Sequence, residues 1–337
     1  MKISIFVIIG IVIITLIGFS IFSINTLQST QEIRVRVAYF PNIGHLIPII
    51  GLENGMFSNN DNQTVIETYL FDSGPQVIES MFAKSIDLAY VGPGPTINGF
   101  VQSEKDDLKI LAGAASGGAS FIIHPKSKIN TANDLSGKRI AAPSIGNTQD
   151  VSLRTYLSEH GLKPADKGGS VVILNTANPE IFTLFAKGDI DAAWVPESWA
   201  TLLIHELNGT RLFYEEDLWP NKQFASVLLV GRTEFIESNP QIVNAWIDSH
   251  KATVTWINDN PDESKLIFQQ FIKKTLGRTL PETIIDDSFS NIEITSNPIA
   301  DSINIFAEQA NRLGYLGRHG YDIDGIFYNS ISLGEDR

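Results

Sequence analysis

Short runs of β-branched and aromatic residues alternate along the chain with amphipathic stretches of about ten residues. This alternation predicts strand–helix–strand units and a mostly parallel sheet, an α/β fold. The predicted strands are Ile33–Phe40, Thr64–Leu70, Ile86–Val91, Leu108–Ala114, Arg139–Ala142, Val171–Leu174 and Ile190–Val195. The predicted helices between them are Gly44–Phe57, Pro75–Lys84, Pro95–Ser103, Thr148–His160 and Pro179–Lys187.

An internal repeat supports two similar halves. The segment from Phe82 to Pro93 resembles the segment from Phe185 to Pro196, with matched Phe-Ala-Lys and Asp-x-Ala elements and a one-residue shift in the turn. Each copy reads as a helix end, a tight turn, a buried strand and a Pro-containing loop. Ligands bind open α/β sheets at the carboxyl ends of the strands, so we expect both loops to face one cleft.

The chain after about residue 239 has a more helical pattern. Apolar residues recur at helical spacing in Gln241–Asn258 and Asp301–Leu313. These helices are predicted to pack on the first half of the molecule, and a partner-binding groove is the alternative.

The N-terminal segment has a different character. Ile3–Ile24 carries no charge over 22 residues, which is long enough to cross a bilayer as a helix. The run lacks a convincing Ala-x-Ala cleavage site, which favours an uncleaved anchor over a removed signal peptide. Lys2 before the run places the remaining chain outside the cytoplasm. Residues 1–30 are therefore expected to be an anchor or signal with a linker.

Composition removes several function classes. The 337 residues include no cysteine, so disulfides, thiolate metal sites and lipid attachment through cysteine are excluded. With 25 Lys and Arg against 38 Asp and Glu, the net charge of −13 argues against nucleic-acid binding. No Walker A, H-E-x-x-H or G-x-S-x-G pattern occurs, and the six histidines are scattered. We expect no catalytic residue, no cofactor and no metal site.

Small-residue loops follow the predicted strands and are the strongest candidate site. Glycine allows close approach of a ligand, and a helix N-terminus suits an anion. A single loop of this kind is more often simple turn chemistry, but several at one sheet edge indicate a binding cleft. The candidate substrate-binding residues are Phe40, Asn42, His45, Ser73, Gly74, Gly92, Gly94, Ser116, Gly117, Gly118, Asn147, Thr148, Gln149, Glu197 and Trp199.

Side chains in these loops leave alternatives open. Glu197 is either a partner for a ligand ammonium or an exposed carboxylate at a helix N-terminus. His45 is either a donor to the ligand or a helix-start residue. Asn147 or Thr148 is the expected N-cap of the helix that follows. None of the loops contains Lys or Arg, so an anion would depend on backbone amides and neutral side chains.

Five motifs in this order carry a family resemblance: Tyr39-Phe40-Pro41-Asn42, Ser73-Gly74-Pro75-Gln76, Val91-Gly92-Pro93-Gly94-Pro95, Gly146-Asn147-Thr148-Gln149-Asp150 and Ala193-Trp194-Val195-Pro196-Glu197. With them, residues 33–330 resemble the periplasmic-type substrate-binding proteins of ABC transporters for nitrate, taurine and aliphatic sulfonates.

The resemblance implies a two-lobed Venus-flytrap periplasmic-binding-protein fold of type II-like topology, here preceded by the N-terminal transmembrane helix. Lobe one would comprise 33–118 and 228–330, and lobe two 119–227. The chain would cross between them near Ala119–His124 and Ala225–Val230. A monomer tethered to the membrane would deliver a sulfonate, taurine or nitrate-like ligand to an ABC permease and its ATPase.

Two other functions fit the same fold. One is a pyrimidine-precursor-binding protein or an enzyme like the thiamine-pyrimidine synthases, although that enzyme branch carries a cysteine-rich motif that is missing here. The other is a ligand sensor that signals to a membrane partner.

Overall fold

The alternation of strands and helices along the chain is present in the computed structural model, which describes residues 32–58, 64–104, 107–317 and 321–328. The expected anchor at Ile3–Ile24 lies outside these residues. Of the helices that the described residues form, none combines the length and apolarity of a membrane-spanning segment. Within the described residues, backbone contacts group 35–58 with 66–104, 107–317 and 321–328 as one compact unit.

The strands within the described part of the chain are β1 (Ile33–Tyr39), β2 (Thr64–Leu70), β3 (Leu88–Val91), β4 (Leu108–Gly117), β5 (Ala119–Ile123), β6 (Arg139–Ala142), β7 (Val172–Asn175), β8 (Ala192–Pro196), β9 (Thr210–Tyr214), β10 (Ala225–Arg232) and β11 (Ile292–Ile294). The seven strands expected from the sequence are all present, with ends shifted by at most three residues.

The α-helices are α1 (Leu46–Glu53), α2 (Gly74–Phe82), α3 (Pro93–Gln102), α4 (Thr148–Glu159), α5 (Asn178–Lys187), α6 (Trp199–Leu207), α7 (Thr233–Ser238), α8 (Pro240–Asp259), α9 (Pro261–Leu276), α10 (Glu282–Ser290) and α11 (Ala300–Arg312). A 3-10 turn at Ile43–His45 precedes α1. Proline supplies a helical φ at the first position of α3, so this helix begins two residues before its expected start.

Two sheets organise these elements. The first has the strand order β11-β4-β10-β3-β1-β2, and the second has the order β7-β6-β8-β5-β9. In each, one strand lies between a parallel and an antiparallel neighbour: β3 between β1 and β10, and β8 between β6 and β5. Both sheets are therefore mixed rather than mostly parallel. We call the first sheet with its helices lobe one, and the second sheet with α4, α5 and α6 lobe two.

The two copies of the sequence repeat occupy equivalent places. Asp87, before β3, accepts a hydrogen bond from the Arg36 backbone N–H and donates its own N–H to the Arg36 carbonyl. Asp191, before β8, makes the same two bonds with Arg139. The matched aspartates therefore fix the register of each central strand against its parallel neighbour, which explains the repeat by structure alone.

Alternate residues of β3 fill two cores. Leu88 and Tyr90 pack into the apolar cluster on one face of the first sheet, and Ala89 and Val91 pack into the cluster on the other. A strand buried on both faces has no polar positions, which matches the continuous apolar run in the sequence. The helices α8 and α11 pack on lobe one, as expected, with Trp246 and Phe306 in these clusters.

The chain crosses between the lobes at two places. The first crossing is the two-glycine turn at Gly117 and Gly118, where φ is +70° and +72°, a region that glycine adopts without a steric penalty. The second lies between Tyr214 and Ala225. The sequence placed the crossings near Ala119–His124 and Ala225–Val230. In the structure they lie directly before these segments, which form β5 and β10, strands of the two sheets.

Candidate functional site

A small inner cavity of about 50 Å³ lies where the two lobes meet. Parallel strands from both sheets end at its wall: Phe40 follows β1, Gly92 follows β3, Pro143 follows β6, and Pro196 ends β8. Both Pro-containing loops of the repeat therefore face one cleft, as predicted. The location agrees with the general rule for ligand sites in open α/β sheets.

Helix N-termini from both lobes point at this cavity. Gly92 is the N-cap of α3, and Asn147 is the N-cap of α4, with its Oδ1 accepting from the Thr148 N–H at 2.9 Å. Of the two N-cap candidates that the sequence offered, the structure therefore selects Asn147. The N-terminal turns carry partial positive charge, so the cavity favours an anionic group.

Glycine allows the two N-termini to approach each other. A Cβ atom on Gly92 would lie 2.3 Å from Thr148 Oγ1, and one on Gly94 would lie 3.1 Å from the Thr148 nitrogen. The Gly94 N–H donates to Thr148 Oγ1 across the lobes at 3.4 Å. These glycines therefore act by permitting contact between the lobes.

Three buried polar atoms at the cavity have no hydrogen-bond partner within the described residues: His45 Nδ1, Asn178 Oδ1 and Ser226 Oγ. Buried polar groups in folded proteins are nearly always paired. Burial lowers the pKa of His45 to about 3, so its imidazole is neutral at physiological pH. The cavity thus offers neutral donors and acceptors to a polar ligand.

Glu197 forms part of the wall and is 1% exposed, so the alternative of an exposed carboxylate is wrong. Its Oε1 accepts from Arg211 Nη2 and from Asn291 Nδ2, each at 3.0 Å, and its Oε2 accepts from the Thr201 N–H at 3.0 Å. Burial raises the pKa of this carboxyl, although the Thr201 and Arg211 donors oppose the shift. Asn291 belongs to lobe one, so the Glu197 carboxylate also joins the lobes.

The structure brings most of the sequence candidates together. The inner cavity is lined by Phe40, Asn42, His45, Gly92, Gly118, Asn147, Thr148, Gln149 and Glu197, and Trp199 lines the neighbouring cavity. Five candidates line neither of these two cavities: Ser73, Gly74, Gly94, Ser116 and Gly117. Their assignment as substrate-binding residues stays a prediction.

Packing or backbone conformation explains why the three glycines in this set are glycine. A Cβ on Gly74, which begins α2, would lie 2.4 Å from Pro95 Cγ, and one on Gly94 would lie 3.1 Å from the Thr148 nitrogen. Gly117 ends β4 at the first crossing, where φ is +70°. A sequence motif shows that a small residue is required, but it does not separate close packing from ligand contact.

Sequence reasoning missed other residues of the inner wall: Gly44, Asp72, Pro143, Asn178, Pro196, Ser226, Val227 and Ile292. Asp72 adjoins the Ser73-Gly74-Pro75 motif and could have been included on that ground. Ser226 lies inside β10, and no local pattern in the sequence marks it.

A second, outer cavity of about 250 Å³ adjoins the first. The two share Phe40, Asn42, Asp72 and Asn178. The outer walls add Phe182 from α5 and Trp199 from α6, and Arg278 after α9 lies 5.6 Å from the centre of the Trp199 ring. Compared with the inner cavity, the outer cavity therefore has more aromatic surface and a cation in its wall.

Comparison with known proteins identifies the family. The model of the NMT1-like family matches residues 28–271. This chain belongs to the NMT1-like family. A protein of Brucella abortus (strain 2308) that bears the name of a binding protein is 29% identical over 277 residues, covering 81% of this chain and 82% of the relative. The taurine-binding periplasmic protein of Escherichia coli (strain K12) is 28% identical over 205 residues, 58% of this chain and 61% of that protein.

Solved structures agree with this membership. The alkanesulfonate-binding protein from Xanthomonas axonopodis pv. citri, bound to MOPS, superposes with a TM-score of 0.70 at 18% identity, over 85% of this chain and 94% of that chain. Similarity at this level shows the fold. The family model and the taurine-binding relative confirm the resemblance to substrate-binding proteins of the nitrate, taurine and sulfonate type, and the solved structure confirms the two-lobed periplasmic-binding-protein fold.

Proposed function

We propose that this protein is the extracytoplasmic solute-binding component of an ABC importer and holds a small sulfonate-type anion between its lobes. The observation that carries the proposal is the inner cavity, where N-termini of α3 and α4 meet three unpartnered polar atoms. An anion there gains the positive ends of two helices and the backbone N–H of Gln149 at the start of α4, whereas α3 contributes its dipole, because Pro93 and Pro95 have no N–H and the Gly94 N–H donates to Thr148 Oγ1. The names of the taurine-binding and alkanesulfonate-binding relatives support the ligand class.

The lining of the inner cavity suits a sulfonate that is held without a lysine or arginine beside it. Among the described residues, no Lys or Arg lines the inner cavity, so a ligand is held by hydrogen bonds and helix ends. Asp72 lies at the wall shared with the outer cavity and has no ion-pair partner within the described residues. A taurine-like ligand, with an ammonium near its sulfonate, places opposite charges at the helix ends and at Asp72.

The protein acts by binding and not by catalysis in this proposal. Permease and ATPase would receive the ligand from the two-lobed receptor, which works as a monomer. The Ile3–Ile24 segment would tether it to the membrane, with the lobes outside the cytoplasm. Mass spectrometry of the mature N-terminus tests the tether, because a cleaved signal would remove this segment.

Thermal unfolding of the full-length chain in mild detergent tests the ligand class. A ligand that binds only the folded state raises the melting temperature. We expect taurine and ethanesulfonate to raise it and equimolar sodium chloride to have no effect. Turnover of a sulfonate with no such stabilisation would overturn the proposal.

A matched pair of serine variants locates the site. Ser226 and Ser264 each have a buried, unpartnered Oγ, but only Ser226 lines the inner cavity. We expect Ser226→Ala to weaken sulfonate binding about tenfold, the loss of one hydrogen bond to a charged ligand. Ser264→Ala should leave binding unchanged. Equal effects of both variants would place the ligand elsewhere.

A further inference from the structure

The outer cavity is too large to be explained by a small anion. The outer cavity has a volume of about 250 Å³, and the inner cavity has a volume of about 50 Å³. The inner space suits a compact tetrahedral group of a few atoms. A ligand that carries anything more on that group must extend outward past Phe40 and Asp72, which line both cavities.

The walls of the outer cavity are aromatic and come from both lobes. Phe40 follows β1 in lobe one, and Phe182 and Trp199 belong to lobe two, with their ring centres 6.4 Å apart and the rings tilted by 59°. A half-buried aromatic ring in a cavity wall still has exposed apolar surface, which it can bury by packing on a flat apolar group of a ligand. Because these rings come from both lobes, a group that packs between them would contact both lobes.

One cation, Arg278, and one carboxylate, Asp72, line this aromatic space. Arg278 is exposed, and within the described residues it has no carboxylate partner. It lies over the Trp199 ring at 5.6 Å. A guanidinium in this position can cover the electron-rich face of a ligand ring as well. Asp72 lies at the junction with the inner cavity.

We propose that the outer cavity is a second subsite, which takes an aromatic or heterocyclic ring carried on the same ligand as the anionic group. The substrate class is thus a ring-bearing sulfonate, with the sulfonate at the N-termini of α3 and α4 and the ring between Phe40, Phe182 and Trp199. Arg278 closes the outer edge. This inference rests on the proposed function for the position of the anion.

Isothermal titration of the full-length chain with two matched ligands tests the subsite. Ethanesulfonate provides the anion alone, and 2-phenylethanesulfonate adds a ring on the same two-carbon unit. Covering a phenyl group contributes about 1.5–3 kcal/mol, so we expect the ring ligand to bind at least tenfold more tightly. Equal affinities would overturn the subsite and leave the proposed function intact. Failure of both ligands to bind would overturn the proposed function itself.

Variants place the ring. Trp199→Ala should reduce affinity for 2-phenylethanesulfonate at least fivefold and leave ethanesulfonate unchanged, and Trp199→Phe should restore most of the loss. Trp256 is a matched control because it is also half-buried but lines neither cavity. Trp256→Ala should not discriminate between the ligands. Arg278 is exposed, so Arg278→Gln folds normally, and we expect it to weaken only the ring ligand, by about threefold. Equal losses for both ligands in Trp199→Ala and Arg278→Gln would overturn the assignment.

Discussion

Arg211 on β9 donates from Nη2 to Oε1 of Glu197 at 3.0 Å, and Glu197 forms part of the wall of the inner cavity. The Glu197 side chain is completely buried, and the Arg211 side chain is 18% exposed. Within the described residues, Arg211 is the one cation paired with this carboxylate. The wall of the cavity in lobe two therefore depends on Arg211 to compensate the charge of a buried acid.

Removing that cation should destabilise the protein. Arg211→Leu leaves the Glu197 carboxylate buried without its counter-charge, at a cost of about 3 kcal/mol in the free energy of unfolding at pH 7. Urea unfolding of the wild type and the variant measures this loss of free energy. Because the pKa of the Glu197 carboxyl is raised in the folded state, the cost should shrink as the pH falls and the acid becomes neutral.

A double variant separates charge from packing. Glu197→Gln together with Arg211→Leu removes both charges, so the combined loss should be clearly smaller than the sum of the single losses. Additive losses would show that Arg211 acts by packing on Tyr214 and not by balancing Glu197.

Asn291 should support ligand binding more than a neighbouring surface ion pair does. Its bond to Glu197 joins the lobes at the cavity, and a hydrogen bond to a charged acceptor contributes about 1.5–3 kcal/mol. Asn291→Ala should therefore weaken sulfonate binding about tenfold in isothermal titration. His205 and Asp287 also join the lobes, at 2.6 Å, but both are exposed. We expect Asp287→Asn to change affinity less than threefold.

Gly92→Ala should impair the approach of the lobes. The added methyl would lie 2.3 Å from Thr148 Oγ1, a distance that forces the helix ends apart. We expect sulfonate affinity to fall at least tenfold, with little change in the melting temperature of the ligand-free protein. Adding Thr148→Ala should restore space, so the double variant should bind no more weakly than Thr148→Ala alone. Persistent loss in the double variant would point to strain within α3 instead.

The two aspartates of the repeat should differ in their contribution to stability. Burial would raise the pKa of Asp87, but hydrogen bonds from Arg36 and Arg232 outweigh it and hold the pKa below its ordinary value. Its stabilisation is thus present at neutral pH and is lost on acidification through the folded-state pKa. Asp87→Asn should cost about 3 kcal/mol in urea unfolding at pH 7.

Asp191 is the internal control. It makes the same backbone bonds, but its side chain is 29% exposed and its Lys138 partner is 3.6 Å away. We expect Asp191→Asn to cost about 1 kcal/mol. Equal costs at the two positions would contradict the role of burial in this pair.

Glu215 should make stability depend on pH in the opposite sense. It lies in the second crossing, buried, and accepts from Ser152 Oγ and Trp194 Nε1. Burial raises the pKa of Glu215 from 4.5 to about 7, with a further contribution from Glu216. The folded state binds this proton more tightly, so stability falls as the pH rises from 4.5 to 7, by about 3 kcal/mol.

Glu215→Gln removes the titration and keeps the shape. Ser152 can donate to the Thr148 carbonyl and accept from the new amide, so the hydrogen bonds survive. Melting temperatures between pH 4.5 and 7 should become flatter in the variant than in the wild type. An unchanged slope would assign the pH dependence to other groups.

The alternating pattern, the repeat and the small-residue loops were enough to predict strand–helix–strand units in both halves and the sheet edge where a site would form. They did not reveal β5, β9, β10 and β11, or the helices α6, α7, α9 and α10. The strands β5 and β10 escaped prediction because an antiparallel strand that returns from the other lobe has no βαβ signature. Their positions depend on long-range pairing that no local window contains.

The sequence by itself determined the family, the two α/β lobes and most of the inner cavity, because buried strands and helix N-termini require particular residues at short spacing. Tertiary structure alone decided which small residues line the inner cavity and which do not, as Gly92 and Gly74 show. It also paired Glu197 with Arg211 and Asn291, and placed Ser226 and Arg278 at the two cavities. These contacts join residues from separate strands, helices and lobes, and their partners are selected by the packing of two sheets rather than by local sequence.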